Sequence, residues 1–509
     1  MSEQSVHVKR IAEQDTRALL DDLSDIHPDY ITQVSEIKRV LERWIMDPEF
    51  QEEFDRNPEQ ALSRVGVSRS PCEILPLVNN DEALSLREAE ANGSDGKYPI
   101  SVRRYRGFLK EKVKSRGIIR ENSQPTNPDF ATWRSRQINR CLGELGYAKA
   151  EAIIHSPIAF ELNKGCSVGC WFCAVAAERL SKIWPYSEEN GKLWRDTLQV
   201  VKHVIGPAVQ YGVCYWATEP LDNPDYEKFI ADFHQILGRC PQTTTAVPTR
   251  DLNRTANLLK LARELDSHID RFSVLTLRVL DQIHSAFTPE ELLQVELVPQ
   301  NVEAAPRYRK VKAGRARLAC DTERHHDNVV QEETSSTIAC VSGFKINMPE
   351  QSIELITPCA ASSTWPLGYW VLDTDTFETA ADLQVLLRAM IERNMASWLR
   401  VDDVIQLRPD LVWQSDGDMH SIRSEWLSLN FEKQPNIHHL EELITRGDLT
   451  AGDIALRREA DCGIRMEETF LLLNGYFGKG LLCEDPAIRG SMTLNSDSTL
   501  GGIQLVGTT

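Results

Sequence analysis

Apolar positions change their spacing along the chain, and the changes divide it. Between about 8 and 67 they recur every three or four residues, the period of helices buried along one face. Val40, Leu41, Trp44 and Ile45 carry this stripe to Asp47-Pro48-Glu49, a stop followed by a new start with proline in the first turn. Phe50, Phe54, Ala61 and Leu62 continue it and Gly66 can end it, so a small helical bundle is predicted. Residues 78–99, with N-N-D at 79–81 and N-G-S-D-G at 92–96, read as a loop or linker. Helical spacing returns at 103–114 and 133–146, and the second stretch runs down to His155-Ser156-Pro157. His155 fits a local cap or packing residue better than a ligand.

From 159 to about 345 short apolar runs alternate with amphipathic stretches, the pattern of βα repeats around a parallel sheet. Strands are predicted at 159–162, 212–217, 243–248, 271–277 and 294–299, and helices at 194–205, 226–237 and 256–265. His284, just before a helix start, is expected to be structural. The polar stretch 306–337, with Arg315 and His325-His326, reads as an insertion or flap. Residues 345–356 alternate like one strand and 377–395 like a helix. Runs at 412–414 and 419–422 flank S-D-G-D as a hairpin would, and 495–509 reads as a mobile tail.

Composition bounds what such a chain can do. With 509 residues and 41% hydrophobic content it can bury several cores, in roughly two to four domains. A formal net charge of −18 argues against a nucleic-acid groove. The local exception is the basic run from Arg103 to Lys114, which either pairs with acidic neighbours or faces an acidic peptide. There is no apolar signal region at the start and no run of about 18 apolar residues, so a cytoplasmic protein without membrane contact is expected. Twelve cysteines in a chain of this length point to metal or redox use rather than a disulfide scaffold.

Three of those cysteines stand together, Cys166, Cys170 and Cys173 in C-S-V-G-C-W-F-C. A short loop with thiols at these spacings can wrap one face of an iron–sulfur cube, leaving one iron without a protein ligand and open to a small molecule. Gly165 and Gly169 give the backbone freedom to do so. Structural zinc would need a fourth ligand, and no further C-x-x-C or H-x-x-x-H pair lies nearby to complete such a site.

The motif resembles that of the radical S-adenosylmethionine (SAM) superfamily, C-x-x-x-C-x-x-C with an aromatic before the last cysteine, here Phe172. The resemblance implies a 4Fe–4S cluster on Cys166, Cys170 and Cys173, SAM as co-substrate, and an α/β fold with a partial (βα)6 TIM-like barrel. Val213 to Pro220, V-C-Y-W-A-T-E-P, is similar to the superfamily's G-G-E-P stretch with both glycines replaced. By that likeness Thr218 and Glu219 contact the SAM amino group. Arg250 and Ser273 stand at strand ends where SAM needs polar partners; Arg250 fits a surface ion pair equally well.

A wider likeness, through W-R-S-R-Q at 133–137, V-E-L-V-P-Q-N at 295–301 and C-A-A-S-S-T-W-P-L-G-Y at 359–369, is to radical SAM peptidyl epimerases of proteusin-type peptide maturation. It implies conversion of L- to D-residues in a ribosomal precursor peptide carrying a leader. Such enzymes use a downstream cysteine as hydrogen donor, and Cys359 is the candidate, ahead of Cys340 and Cys320, then Cys462 and Cys483. An external one-electron reductant of flavodoxin or ferredoxin type is a further expected partner. The implied division is an N-terminal helical region (1–100), a helical lead-in (101–155), the partial barrel (156–345) and a mixed α+β region (346–509) with a possible peptide-recognition module of winged-helix type, or else a barrel cap. The N-terminal bundle is a lesser candidate for leader docking. Rival readings are a crosslinking or methylating radical SAM maturase, and a non-catalytic metal-bearing peptide-binding protein.

Overall fold

Prolines and caps write the N-terminal bundle. Helices Pro28–Met46, Pro48–Arg56 and Pro58–Arg64 follow one another with proline at their starts. The Asp47 carboxylate accepts the Glu49 and Phe50 N–H groups, and Asn57 accepts that of Gln60. Phe50, Phe54, Ala61 and Leu62 are all buried, in one core with Tyr105 and Phe108 of the long helix Ile100–Asn122. This computed structural model describes residues 28–265, 269–305, 309–319, 337–416, 419–431 and 435–489. The 8–27 part of the predicted bundle, His325-His326, Cys320 and the 495–509 tail lie outside them. The predicted loop at 78–99 is mostly helix, Asn80–Ala91. Asn79 accepts the Asp81 and Glu82 N–H groups, so its run of turn formers is a helix cap, and Leu86 and Ala89 face the interior.

The centre is mixed α/β with helices and several small sheets. Strands β1 (Ser156–Glu161), β2 (Asn163–Lys164), β3 (Lys182–Ile183), β4 (Thr244–Thr245), β5 (Asp270–Val274), β6 (Val295–Pro299), β7 (Val341–Asn347), β8 (Ser352–Pro358) and β9 (Tyr369–Thr376) make three of them. One has the order β1-β7-β8-β9, with β1 and β7 parallel and the later pairs antiparallel. Another is the parallel set β4-β5-β6, and β2 pairs with β3. No closed barrel forms among the described residues.

Several predicted strands shrink or split. The 212–217 run keeps a single parallel bridge, Ala159 with Val213, where the Phe160 N–H reaches the Val213 carbonyl at 2.8 Å. Beyond it the backbone is held by side chains instead of a ladder: the Ala217 N–H donates to Glu161 Oε1 at 2.8 Å. The 243–248 run keeps two strand residues, and 271–277 ends at Val274 before Thr276 caps the helix Leu277–Ala286. The single strand read at 345–356 is the hairpin β7–β8, turned at Pro349 and at Gln351, whose φ is 49°. That sheet crosses the expected 345/346 boundary, because β8 and β9 hydrogen-bond onward from β7. The helix Ala380–Asn394 also stays with this part, burying Leu383, Leu387 and Met390 in the core that contains Trp194 and Phe229.

A separate core begins near Leu399. The antiparallel strands β10 (Val412–Asp416), β11 (Met419–Arg423) and β12 (Ser428–Phe431) precede helices Ile437–Arg446, Ala451–Cys462 and Met466–Gly478. A buried ion pair binds this unit to the helix Pro128–Leu145: Arg136 grips Glu484 with two bonds of 2.9 and 3.0 Å, and Gln137 adds a third at 3.1 Å. Burial would raise the Glu484 pKa, but the Arg136 charge and hydrogen bonds outweigh it and hold it below the usual value. A depressed carboxylate stabilises the fold above its unfolded pKa and loses that contribution as pH falls through the folded one. Glu484→Ala therefore costs about 3–5 kcal/mol at neutral pH, with Arg136 left unpaired. Chemical unfolding should show the gap to the parent protein closing as pH falls below about 4, the ordinary carboxylate range; a gap independent of pH would rule the linkage out.

Candidate functional site

The cysteine loop leaves the end of β1 and returns through β3, so the β2–β3 ladder forms its base. The Cys166 N–H donates to the Glu178 carbonyl at 2.9 Å, and Ser181 N–H to Lys164 at 2.9 Å. Gly165 has φ 81°, and a Cβ there would stand 2.3 Å from the Arg179 carbonyl oxygen. Only glycine fits that crossing. Gly165→Ala should cost about 1–3 kcal/mol and lower the melting temperature; an unchanged melting curve would mean that the loop base is looser than this.

The three thiols are half-buried and free. Their sulfurs already draw backbone donors: Val168 N–H to Cys166 Sγ and Ala177 N–H to Cys173 Sγ, each at 3.4 Å. Burial first, then the nearby Cys166 and Cys173, raise the Cys170 thiol to about 11. Among the described residues no group of three or more His, Cys, Asp or Glu is arranged so that it could hold a metal ion. The donor set, the glycine-hinged loop and the N–H···S contacts are nevertheless those an iron–sulfur cluster uses.

A clasp on this loop comes from far along the chain. Gly314 has φ 53°, and a Cβ on it would stand 2.2 Å from the Ala174 carbonyl oxygen and 2.5 Å from that of Cys173. Next to it, the Arg315 N–H donates to the Cys173 carbonyl at 2.9 Å, its Nη1 to that of Cys170 at 2.8 Å, and its Nη2 to that of Ala177. The described part of the stretch expected to be a flap, residues 309–319, is thus docked on the cysteines. Lys310 Nζ lies 5.0 Å from the centre of the Phe172 ring, and Phe172 meets Trp171 edge to face.

Arg250 is brought to the loop: it donates to Asp222 Oδ1 and to Ser167 Oγ, each at 2.7 Å, while Asp222 accepts the Ser167 N–H at 2.9 Å. It therefore has the ion pair considered for it, with a partner three residues past Glu219 that the sequence reading passed over. Glu219 is buried, and three donors occupy its oxygens: Thr245 Oγ1 at 2.6 Å, Ala246 N–H at 2.8 Å and Leu221 N–H at 3.1 Å. Burial raises its pKa. In this arrangement it ties its own turn to β4. Thr218 is half-buried beside it. Ser273 sits on β5 in register with Val298 of β6.

Cys359 follows β8 and is 1% exposed. Its N–H donates to the Gly368 carbonyl at 3.0 Å, closing the 359–368 loop, and two residues on, Ala361 packs against Ala174 and Ala313. That contact brings the Cys359 loop against the residue after Cys173. Burial, then Glu144, raises the Cys359 pKa, so the group is a protonated thiol. Cys141, which the sequence reading overlooked, donates to the Pro358 carbonyl at 3.5 Å from the Pro128–Leu145 helix. Cys340 is half-buried beside Cys141 and Ala360. Cys462 and Cys483 belong to the C-terminal unit, Cys462 bonded to His439 at 3.3 Å. His155 is buried with Nδ1 at 2.8 Å from Ser342 Oγ. His284 is half-buried, with both ring nitrogens shielded from solvent near Lys38, Arg39 and Arg43 of the Pro28–Met46 helix.

Fold and site together define a mixed α/β protein with a clasped three-thiol loop after its first strand. Over 465 residues, 90% of this chain and 89% of the relative, it is 36% identical to the uncharacterized protein y4wI of Sinorhizobium fredii (strain NBRC 101917 / NGR234). The chain belongs to the family of that protein. No protein-family profile and no solved structure matches it.

Proposed function

We propose that the chain is a radical SAM peptidyl epimerase, converting L- to D-residues in a ribosomal precursor peptide. The observation that carries this reading is the junction at Ala174, where the clasped cysteine loop meets the loop bearing Cys359. A 4Fe–4S cluster held by Cys166, Cys170 and Cys173 and carrying SAM would supply a 5′-deoxyadenosyl radical able to take a Cα hydrogen. The strands would then serve as the partial barrel under it, with Phe172, Thr218, Glu219, Arg250 and Ser273 around the cofactor; of these, Arg250 already bridges Asp222 and Ser167. Cys359 returns the hydrogen: its S–H bond breaks as the new Cα–H bond forms on the opposite face. The sulfur-centred radical left behind takes one electron from the external reductant and one proton from solvent. The β10–β12 unit with its three helices would act as the peptide-recognition module.

Anaerobic reaction of reconstituted protein with SAM, reductant and a co-encoded precursor in D2O tests this. The expected result is 5′-deoxyadenosine together with D-residues that have each gained about one mass unit at Cα, the mass of one deuterium in place of one hydrogen. Cleavage of SAM with a loss of two hydrogens or a gain of a methyl group would hand the function to a crosslinking or methylating maturase. No cleavage of SAM would leave a metal-bearing binding protein.

A further inference from the structure

Away from the cysteines, a cleft of about 930 Å³ runs between the helices Pro28–Met46 and Ile100–Asn122 and the open side of β6. A second cavity of about 370 Å³ lies further in, lined by Tyr215 and Cys340. Lys112, Arg116, Arg271 and Glu296 border both, so the two spaces meet at this charged junction. At its other end the cleft reaches Pro299, whose carbonyl accepts Lys310 Nζ at 3.3 Å, and Lys310 lies over Phe172. The cleft thus runs along β6 towards the cysteine loop.

Its charge is opposite to that of the molecule. Six basic side chains (Lys38, Arg87, Arg106, Lys112, Arg116, Arg271) border it against two acidic ones, Glu42 and Glu296, in a chain of net charge −18. Some of the six are neutralised. Lys38 pairs with Glu42 at 2.7 Å, Arg106 with Glu90 at 2.8 Å, and Lys112 and Arg271 share Glu296 at 3.3 and 3.0 Å. Exposed Arg87 and half-buried Arg116 have no carboxylate partner among the described residues.

We propose that this cleft seats an acidic stretch of the peptide substrate, its carboxylates on Arg87 and Arg116 and its chain directed along β6 towards Phe172. The proposal rests on the peptide-modifying reading above. It gives that peptide an anionic segment and a route of entry. An acidic peptide is repelled by most of the surface, and the cleft is where the local field reverses.

The test is a fluorescence-anisotropy titration of the full chain, without cluster or SAM. One probe is a labelled peptide of about twelve residues alternating Glu or Asp with apolar residues; the other is its Gln/Asn counterpart. The acidic probe should bind at least ~10-fold more tightly and lose affinity with salt. Arg87→Glu combined with Arg116→Glu should weaken it by ~10–100-fold, while Lys192→Glu, exposed on the helix Glu188–Ile205 and not bordering the cleft, should not. Arg116→Gln, which removes the charge but keeps a polar hydrogen-bonding end, should give a smaller loss and guards against a folding defect in the reversal. Equal binding of the two probes, or acidic binding that survives the reversal, overturns the proposal. Because the titration uses neither cluster nor SAM, failure of SAM cleavage would refute the enzymatic reading while leaving this result standing.

Discussion

On the proposed radical SAM reading, Cys170→Ala gives a folded protein that retains less than about a tenth of the parent's iron and sulfide after reconstitution, and formation of 5′-deoxyadenosine falls by ~10³-fold or more. Cys170 is the middle thiol of the three, and the one whose protonation responds to both others. Removing it leaves two sulfurs seven residues apart, too few to hold a cube that needs three. The loop itself should survive the change. Arg315 holds the carbonyl of residue 170, not its side chain, and Gly314 is seated on the Cys173 and Ala174 carbonyls. Iron and sulfide analysis with reduced-state EPR decides this. An alanine variant with full iron content and unchanged SAM cleavage would remove Cys170 from the ligand set.

If the chain is the epimerase proposed, Cys359→Ala should separate the two halves of that reaction: SAM cleavage continues and D-residue formation drops by at least ~100-fold. A hydrogen-atom donor must carry its hydrogen, and burial followed by the Glu144 charge keeps this thiol protonated throughout the working pH range. The same burial makes it a packing residue, so the truncation should also cost about 1 kcal/mol of stability. Chiral amino-acid analysis beside 5′-deoxyadenosine counts gives the split. Undiminished D-residue formation would transfer the role to Cys340, which borders the inner cavity, or to Cys141 against the Pro358 carbonyl.

How far the sequence disclosed all this depends on the range of the interaction. The cysteine loop was legible because its spacing and its two glycines act within a few residues of one another. The bundle stripe through Phe50, Phe54, Ala61 and Leu62 was legible for the same reason, since a helix sets its own period. The clasp was not: Gly314 and Arg315 lie about 140 residues from the loop that they hold, within a polar stretch whose composition reads as a flap. Asp222 was hidden by being one acid among many. The Asn80–Ala91 helix was missed because its capping residues are the same types that make turns. Strand lengths at 212–217 and 243–248 failed because Glu161 and Glu219 satisfy backbone donors there in place of neighbouring strands.

One small contact sets a limit on how the chain can be cut. Among the described residues β6 is hydrogen-bonded on one side only, and the Leu297 N–H finds its acceptor in Glu42 Oε1, 3.2 Å away on the Pro28–Met46 helix. The bundle therefore shields a raw sheet edge. Stripped of it, Val295 and Leu297 would present a short template for strand pairing between molecules, and the remainder would be expected to self-associate as it is expressed. Soluble fragments of this family are better sought by trimming elsewhere.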